Sequence, residues 1–293
     1  MRAGLKIIDM RCRPPFKAFL NEGYPFGLFD KRAVHKMGYQ LSGCPEYSKT
    51  LDTHSMEDFF REMDNSGVDI AVAPYRSAWG DREVNHRDPI DNGELVEMVG
   101  KYPGKFIAVP GFSPVYHEFS DFKQQVDEYI VNGPLRGMAM EPIIDRPAWL
   151  LSDDRAMAMF EVAQNHNIPV LLTYSSMSIP QFESLRVAAT TFPKLNFVLC
   201  HGGTPRVFEV IDLAFGLGNI YLSPDGNIVN TPWSQMYVDA GNYMLRDRVL
   251  FGSAFPFNTM EHAVDYYLHC GFREEILPDI LYNNAARLFG LEG

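Results

Sequence analysis

The chain has 293 residues, 46% of them hydrophobic, and a formal net charge of -11. This excludes a general nucleic-acid binder, which would carry a basic face, while the apolar content suffices for the core of a globular protein. Cys12, Cys44, Cys200 and Cys270 lie far apart with no CxxC or Cys/His cluster, so buried free thiols in a reducing compartment are expected rather than a disulfide framework or a zinc knuckle.

The first strand is predicted in "LKIIDM" and continues into "RCRPP". Residues two apart in an extended chain share a face. Asp9, Arg11 and Arg13 therefore project together, with Met10 and Cys12 opposite them. Two guanidinium groups buried side by side are costly unless an anion meets them. The anion could be internal, from Asp9 or Glu141, or it could be a ligand. Cys12 faces away from this surface and is not expected to be a reactive thiol.

Roughly forty residues then separate the first strand from its helix, a length that usually marks a functional loop. The connection contains "GYPFGLFDKRAVHKMGY", too aromatic for a disordered linker. It reads as a lid or pocket wall, or alternatively as a surface packing excursion or a subunit contact in a homo-oligomer.

Further strands are predicted in "VDIAVAPY", "FIAVPGF", "RGMAMEP", "IPVLLTY", "NFVLCH", "NIYLSP" and "RVLFGSA". Their near-continuous hydrophobicity suits parallel strands covered on both faces. Helical patterns lie between them, in "SMEDFFREMDNSG", "GELVEMVGKYPG", "DFKQQVDEYIVNG" and "DDRAMAMFEVAQNHN". Ser55 with Asp58 resembles a capping box, and Thr204-Pro205 places proline at a first helical position. Eight strands alternating with helices predict an α/β fold, a (β/α)8 TIM barrel forming one domain over 1–293, with a long β1–α1 lid loop. A doubly wound sheet would want a glycine-rich phosphate loop after the first strand, and "MRCRPPF" has none. No apolar run reaches membrane-spanning length and no signal-peptide pattern opens the chain, so a cytoplasmic protein with no membrane partner is expected.

Barrel enzymes build their sites at the C-terminal ends of the strands. Those ends carry Arg11 and Arg13, Arg76, Glu141, Thr173 and Tyr174, His201, and Asp225. Of the eight histidines only His201 ends an apolar strand and opens a glycine turn. Each candidate has a plainer reading: Glu141 as a solvated loop carboxylate, Asp225 as a turn residue, Arg76 as a surface arginine.

The ordered segments "KIID", "DDRAMAMFEVAQNHNIPVLL", "FPKLNFVLCHGG", "RVLFGSAFPF" and the C-terminal helix "ILYNNAARLFGL" resemble the amidohydrolase superfamily over nearly the whole chain. The nearest branch is the amidohydrolase-related one, which includes aminocarboxymuconate-semialdehyde decarboxylase-like enzymes and lactonases. The resemblance implies the barrel and a metal site built from an aspartate followed by His-x-His, a strand-five histidine and a strand-eight aspartate. Here those positions read Asp9, Arg11, Arg13, Thr173 and Ala254, and only the strand-six histidine remains, as His201. Guanidinium has no lone pair and stays protonated. A divalent ion about 4 Å from one would suffer roughly 8 kcal/mol of repulsion at an effective dielectric of 20.

No cofactor is therefore expected, and Arg11 and Arg13 are read as an anion clamp for a small organic acid or lactone, with Arg76, Thr173 and Tyr174 beside it. His201, helped by Glu141 or Asp225, would be the general base of a metal-independent, lactonase-like hydrolase. The alternatives are a lyase (decarboxylase or hydratase) on the same clamp, a catalytically inactive anion-binding protein, and a zinc or manganese hydrolase with ligands relocated to His201, Glu141 and Asp225.

Overall fold

The computed structural model describes residues 4–21, 29, 34, 42–44, 47–76, 91–142, 144–145, 147–173 and 181–291. Strands and helices alternate along the chain as predicted. The strands are β1 (Ile8–Asp9), β2 (Ile70–Pro74), β3 (Phe106–Val109), β4 (Met138–Met140), β5 (Val170–Thr173), β6 (Phe197–Cys200) and β7 (Ile220–Ser223). The chain divides into two compact units. One comprises Met1–Ala73, Gly104–Phe106 and Ser223–Gly293, and the other Pro74–Pro103 and Ile107–Leu222.

In the first unit β1 pairs in parallel with β2, Ile8 opposite Ile70 and Asp9 opposite Ala71. The helix Met56–Ser66 follows the long connection. Ser55 caps it, its side chain accepting from the Glu57 and Asp58 amides, and Gly67 ends it in the left-handed conformation. Phe59 and Met63, one turn apart, form its buried face. The Phe59 ring stacks on Phe106 at 5.8 Å and meets Phe255 edge-on at 5.4 Å. Fully burying each such ring contributes about 1.5–3 kcal/mol. Of the predicted lid, "GYPFGLFDKRAVHKMGY", only Phe29 and Val34 are among the described residues; both are buried.

The predicted eighth strand does not form a ladder. Its segment runs beside β1 through single contacts: the Met10 amide donates to the Phe251 carbonyl, the Arg13 amide to that of Phe255, and Cys12 bridges Phe255. A side chain takes the place of the missing ladder bonds, because the Asp9 carboxylate accepts from both the amide and the hydroxyl of Ser253.

In the second unit β4, β5, β6 and β7 lie side by side in that order. The β4–β5 and β5–β6 pairs are parallel, with Met140 opposite Leu172 and Thr173 opposite Cys200. Every residue of β4 and β6 is buried, which is why these strands read as unbroken apolar runs. Pro205 does not open a helix as predicted. Residues 201–205 form a hydrogen-bonded turn, and the helix Val207–Leu217 begins beyond it with Arg206 as its cap. Among the described residues no helix is long and apolar enough to cross a membrane.

Candidate active site

Arg11 and Arg13 are 5% and 4% exposed. Arg11 has Asp225 as an internal counter-ion, with Nε 3.6 Å from Oδ2. Asp225 is fully buried and opens a short 3-10 turn over Asp225–Ile228. Gly252 permits this approach, since a Cβ there would lie 3.1 Å from both the Asp225 Cβ and the Ser223 hydroxyl oxygen. Asp225 is thus a turn residue, as its plainer reading had it, and also a buried counter-ion.

Asp9 takes another role. Its carboxylate accepts from the Arg11 amide at 3.1 Å, the Ser253 amide at 2.8 Å and the Ser253 hydroxyl at 2.5 Å. Burial nevertheless raises its pKa to about 6, against the lowering by these Ser253 and Arg11 bonds and with a further push from Asp225. Unfolded, the group titrates near 3.8, so between these values the folded state keeps a proton that the unfolded chain has released. Stability must fall as pH rises through that window, by ~3 kcal/mol from Asp9. Glu62, held by the Ser48 hydroxyl and raised to about 7 mainly by burial, acts in the same direction. Asp9→Asn should flatten the pH 4–6 part of the stability profile, read from denaturant midpoints. An undiminished slope would assign the effect to other groups.

In the second unit Glu141, 3% exposed, accepts from the Thr173 hydroxyl at 3.1 Å. This is not a solvated loop carboxylate. Its carbonyl accepts from the Ile144 and Asp145 amides. Asp145 in turn accepts from the Ser113 hydroxyl at 2.6 Å and the Trp149 indole at 2.7 Å. The sequence reading missed this Ser113–Asp145–Trp149 network, because none of the three ends a strand. Arg76, 9% exposed at the end of β2, is not a surface arginine either. Tyr174 lies outside the described residues.

His201 directly follows β6, whose end stands level with that of β5, since Cys200 is opposite Thr173. It is half-buried, and its backbone has φ of +69°. The turn beyond needs glycine: at Gly203, φ is +85° and a Cβ would lie 2.8 Å from a Val210 methyl. Asp225 and Ala254 also have left-handed backbones, at +46° and +62°. Such conformations cost about 1–2 kcal/mol for an L-residue, least for aspartate and asparagine. Ala254 thus keeps a backbone suited to the aspartate that the family pattern has there. Backbone strain of this kind gathers at functional sites.

Cys12 is fully buried and burial holds its thiol well above the ordinary range, with Asp9 and Glu62 adding to the rise, so it is inert as expected. All four cysteines are free, though only Cys12 and Cys200 are fully buried. The residues do not fit the metal that the resemblance implies. Guanidinium, hydroxyl and methyl groups stand at four of its positions, and among the described residues no three His, Cys, Asp or Glu side chains gather to hold an ion.

The amidohydrolase family model matches residues 16–291. No curated protein matches the chain. Among solved structures, an uncharacterized TIM-barrel protein from Bordetella bronchiseptica is 27% identical, with a TM-score of 0.82 over 97% of this chain and 98% of that one. A probable 2-pyrone-4,6-dicarboxylic acid hydrolase from Acinetobacter baumannii, with citric acid bound, is 14% identical, with a TM-score of 0.65 over 98% and 100%. A dihydroxybenzoic acid decarboxylase from Polaromonas, with manganese and 2-nitroresorcinol bound, is 15% identical, with a TM-score of 0.63 over 99% and 98%. The chain thus has the α/β TIM-barrel fold.

Proposed function

The chain belongs to the amidohydrolase family, and from that membership we propose that it is a lactonase-like hydrolase, working without a metal on a small carboxylated substrate. The observation that carries this reading is the burial of both Arg11 and Arg13 just after β1, at positions where the family pattern has metal-binding histidines. Buried cations of this kind suit bidentate, charge-assisted bonds to a carboxylate. Asp225, paired with Arg11, then acts as a positioning residue for the clamp rather than as a base. His201 is the general base for water, with Glu141 as the second proton-handling group, and Thr173 holds the Glu141 carboxylate in place. Arg76 and Tyr174 complete the set of substrate contacts.

A lyase of the same fold is the second reading, supported by the structural likeness to decarboxylases. Physics ranks it lower for the clamped group. Arginines that hold a carboxylate stabilise the charged ground state, and that charge disappears as carbon dioxide leaves, so the clamp would oppose loss of the group it binds. In lactone hydrolysis negative charge builds on oxygen in the transition state, where nearby cations help.

Incubation with carboxylated lactones and hydroxylated benzoates in the presence of a chelator, followed by mass spectrometry, distinguishes the readings. Addition of water is the expected result. Loss of carbon dioxide would select the lyase, and a ligand that stabilises the protein yet returns unchanged would select a binding protein. Activity that vanishes with chelator and returns with zinc or manganese would sink the metal-free reading.

A further inference from the structure

The helix Val207–Leu217 in the second unit buries Val207, Val210, Ile211 and Ala214. Beyond that buried arc it shows two large rings to solvent, Phe208 at 71% and Phe215 at 56% exposure. A single exposed apolar residue is ordinary. These two, however, lie seven residues apart, which is two helical turns or about 10.5 Å along one flank. Ile211 lies between them, 8% exposed, so the three follow the i, i+3, i+7 spacing of an apolar helix stripe. Glu209 and Asp212 are exposed on the far side of the stripe from the buried arc. An apolar face rimmed by polar residues marks an interaction surface.

Its size and spacing fit a second copy of this chain. An aromatic side chain buries about 150–250 Å², so at these exposures the two rings offer roughly 250 Å² per copy. A stable interface takes about 800 Å² from each partner, so the stripe alone suits a weak, reversible contact. A two-fold axis passing between residues 211 and 212 sets two such helices antiparallel. Phe208 of each copy then meets Phe215 of the other, and one ring pair forms twice. The same rotation sends the two Asp212 carboxylates to opposite edges of the contact, so they do not oppose each other. We propose that this helix face is a self-association surface, through which two copies of the chain pair antiparallel across Val207–Leu217. Each copy carries a formal charge of -11, so screening by added salt should strengthen the pairing.

Sedimentation of the full chain tests this. Monomer is expected at low micromolar concentration, with a dimer fraction that rises towards the millimolar range and with added salt. Phe208→Ser and Phe215→Ser should each weaken association by about tenfold or more, because each ring serves in both symmetric contacts. Their urea midpoints should stay near the parent value, since both rings are exposed. Under mild oxidation a mixture of Phe208→Cys and Phe215→Cys chains should form a disulfide-linked dimer that neither variant forms alone and the parent does not form. A parent that stays monomeric throughout would overturn the proposal and leave the face to an unlike partner. Association that survives both serine variants would overturn it too, as would either cysteine variant cross-linking alone to the extent of the mixture.

Discussion

Arg11→Ala is expected to destabilise the protein by about 3–5 kcal/mol, the cost of leaving one member of a buried ion pair without its partner. The magnitude follows from the setting. The Arg11 and Asp225 side chains are 6% and 1% exposed and 3.6 Å apart, so water cannot replace the lost cation. Asp9 makes the deficit worse, because it is a second fully buried carboxyl that already feels Asp225. Most of the loss is thus the penalty for an uncompensated charge rather than the worth of the pair itself. It follows that Arg11→Met combined with Asp225→Asn should recover much of the stability, since the pair then leaves no uncompensated buried charge and asparagine tolerates the left-handed backbone at this position. Urea midpoints of the parent, both single variants and the double variant check this. A double variant as unstable as the sum of the two singles would mean that the groups are not coupled.

His201→Asn should lower turnover by about 10²–10⁴-fold, the usual contribution of a positioned general base, and change carboxylate affinity little. Asparagine tolerates the left-handed backbone that His201 adopts, so the variant isolates the imidazole from the fold. Fluorescence or calorimetric affinity measured alongside turnover separates the two effects. A variant with full turnover would remove His201 from the mechanism, and one that loses affinity and turnover together would make it a binding residue.

The fold was legible because the strands are buried on both faces, and burial writes itself as runs such as "IAVAP" and "FVLC". The missing eighth ladder was not legible. "RVLFGSA" is as apolar as its neighbours, and only the Asp9 carboxylate bonding to Ser253 across the chain marks the difference. Position along the chain singled out Arg11, Arg13, Glu141 and Arg76 as candidates, and all four are buried, which composition could not tell. The partner of Arg11 could not be read in advance. Asp225 sits in "SPDGN", a turn pattern by every local signal, and its pairing depends on the close approach that Gly252 allows.

The most direct measurement on the clamp is a crystal structure with a small carboxylated lactone or its hydrolysis product bound. Both carboxylate oxygens should lie about 2.7–2.9 Å from guanidinium nitrogens of Arg11 and Arg13. A carboxylate seated elsewhere, or a divalent ion coordinated beside those two side chains, would contradict the clamp.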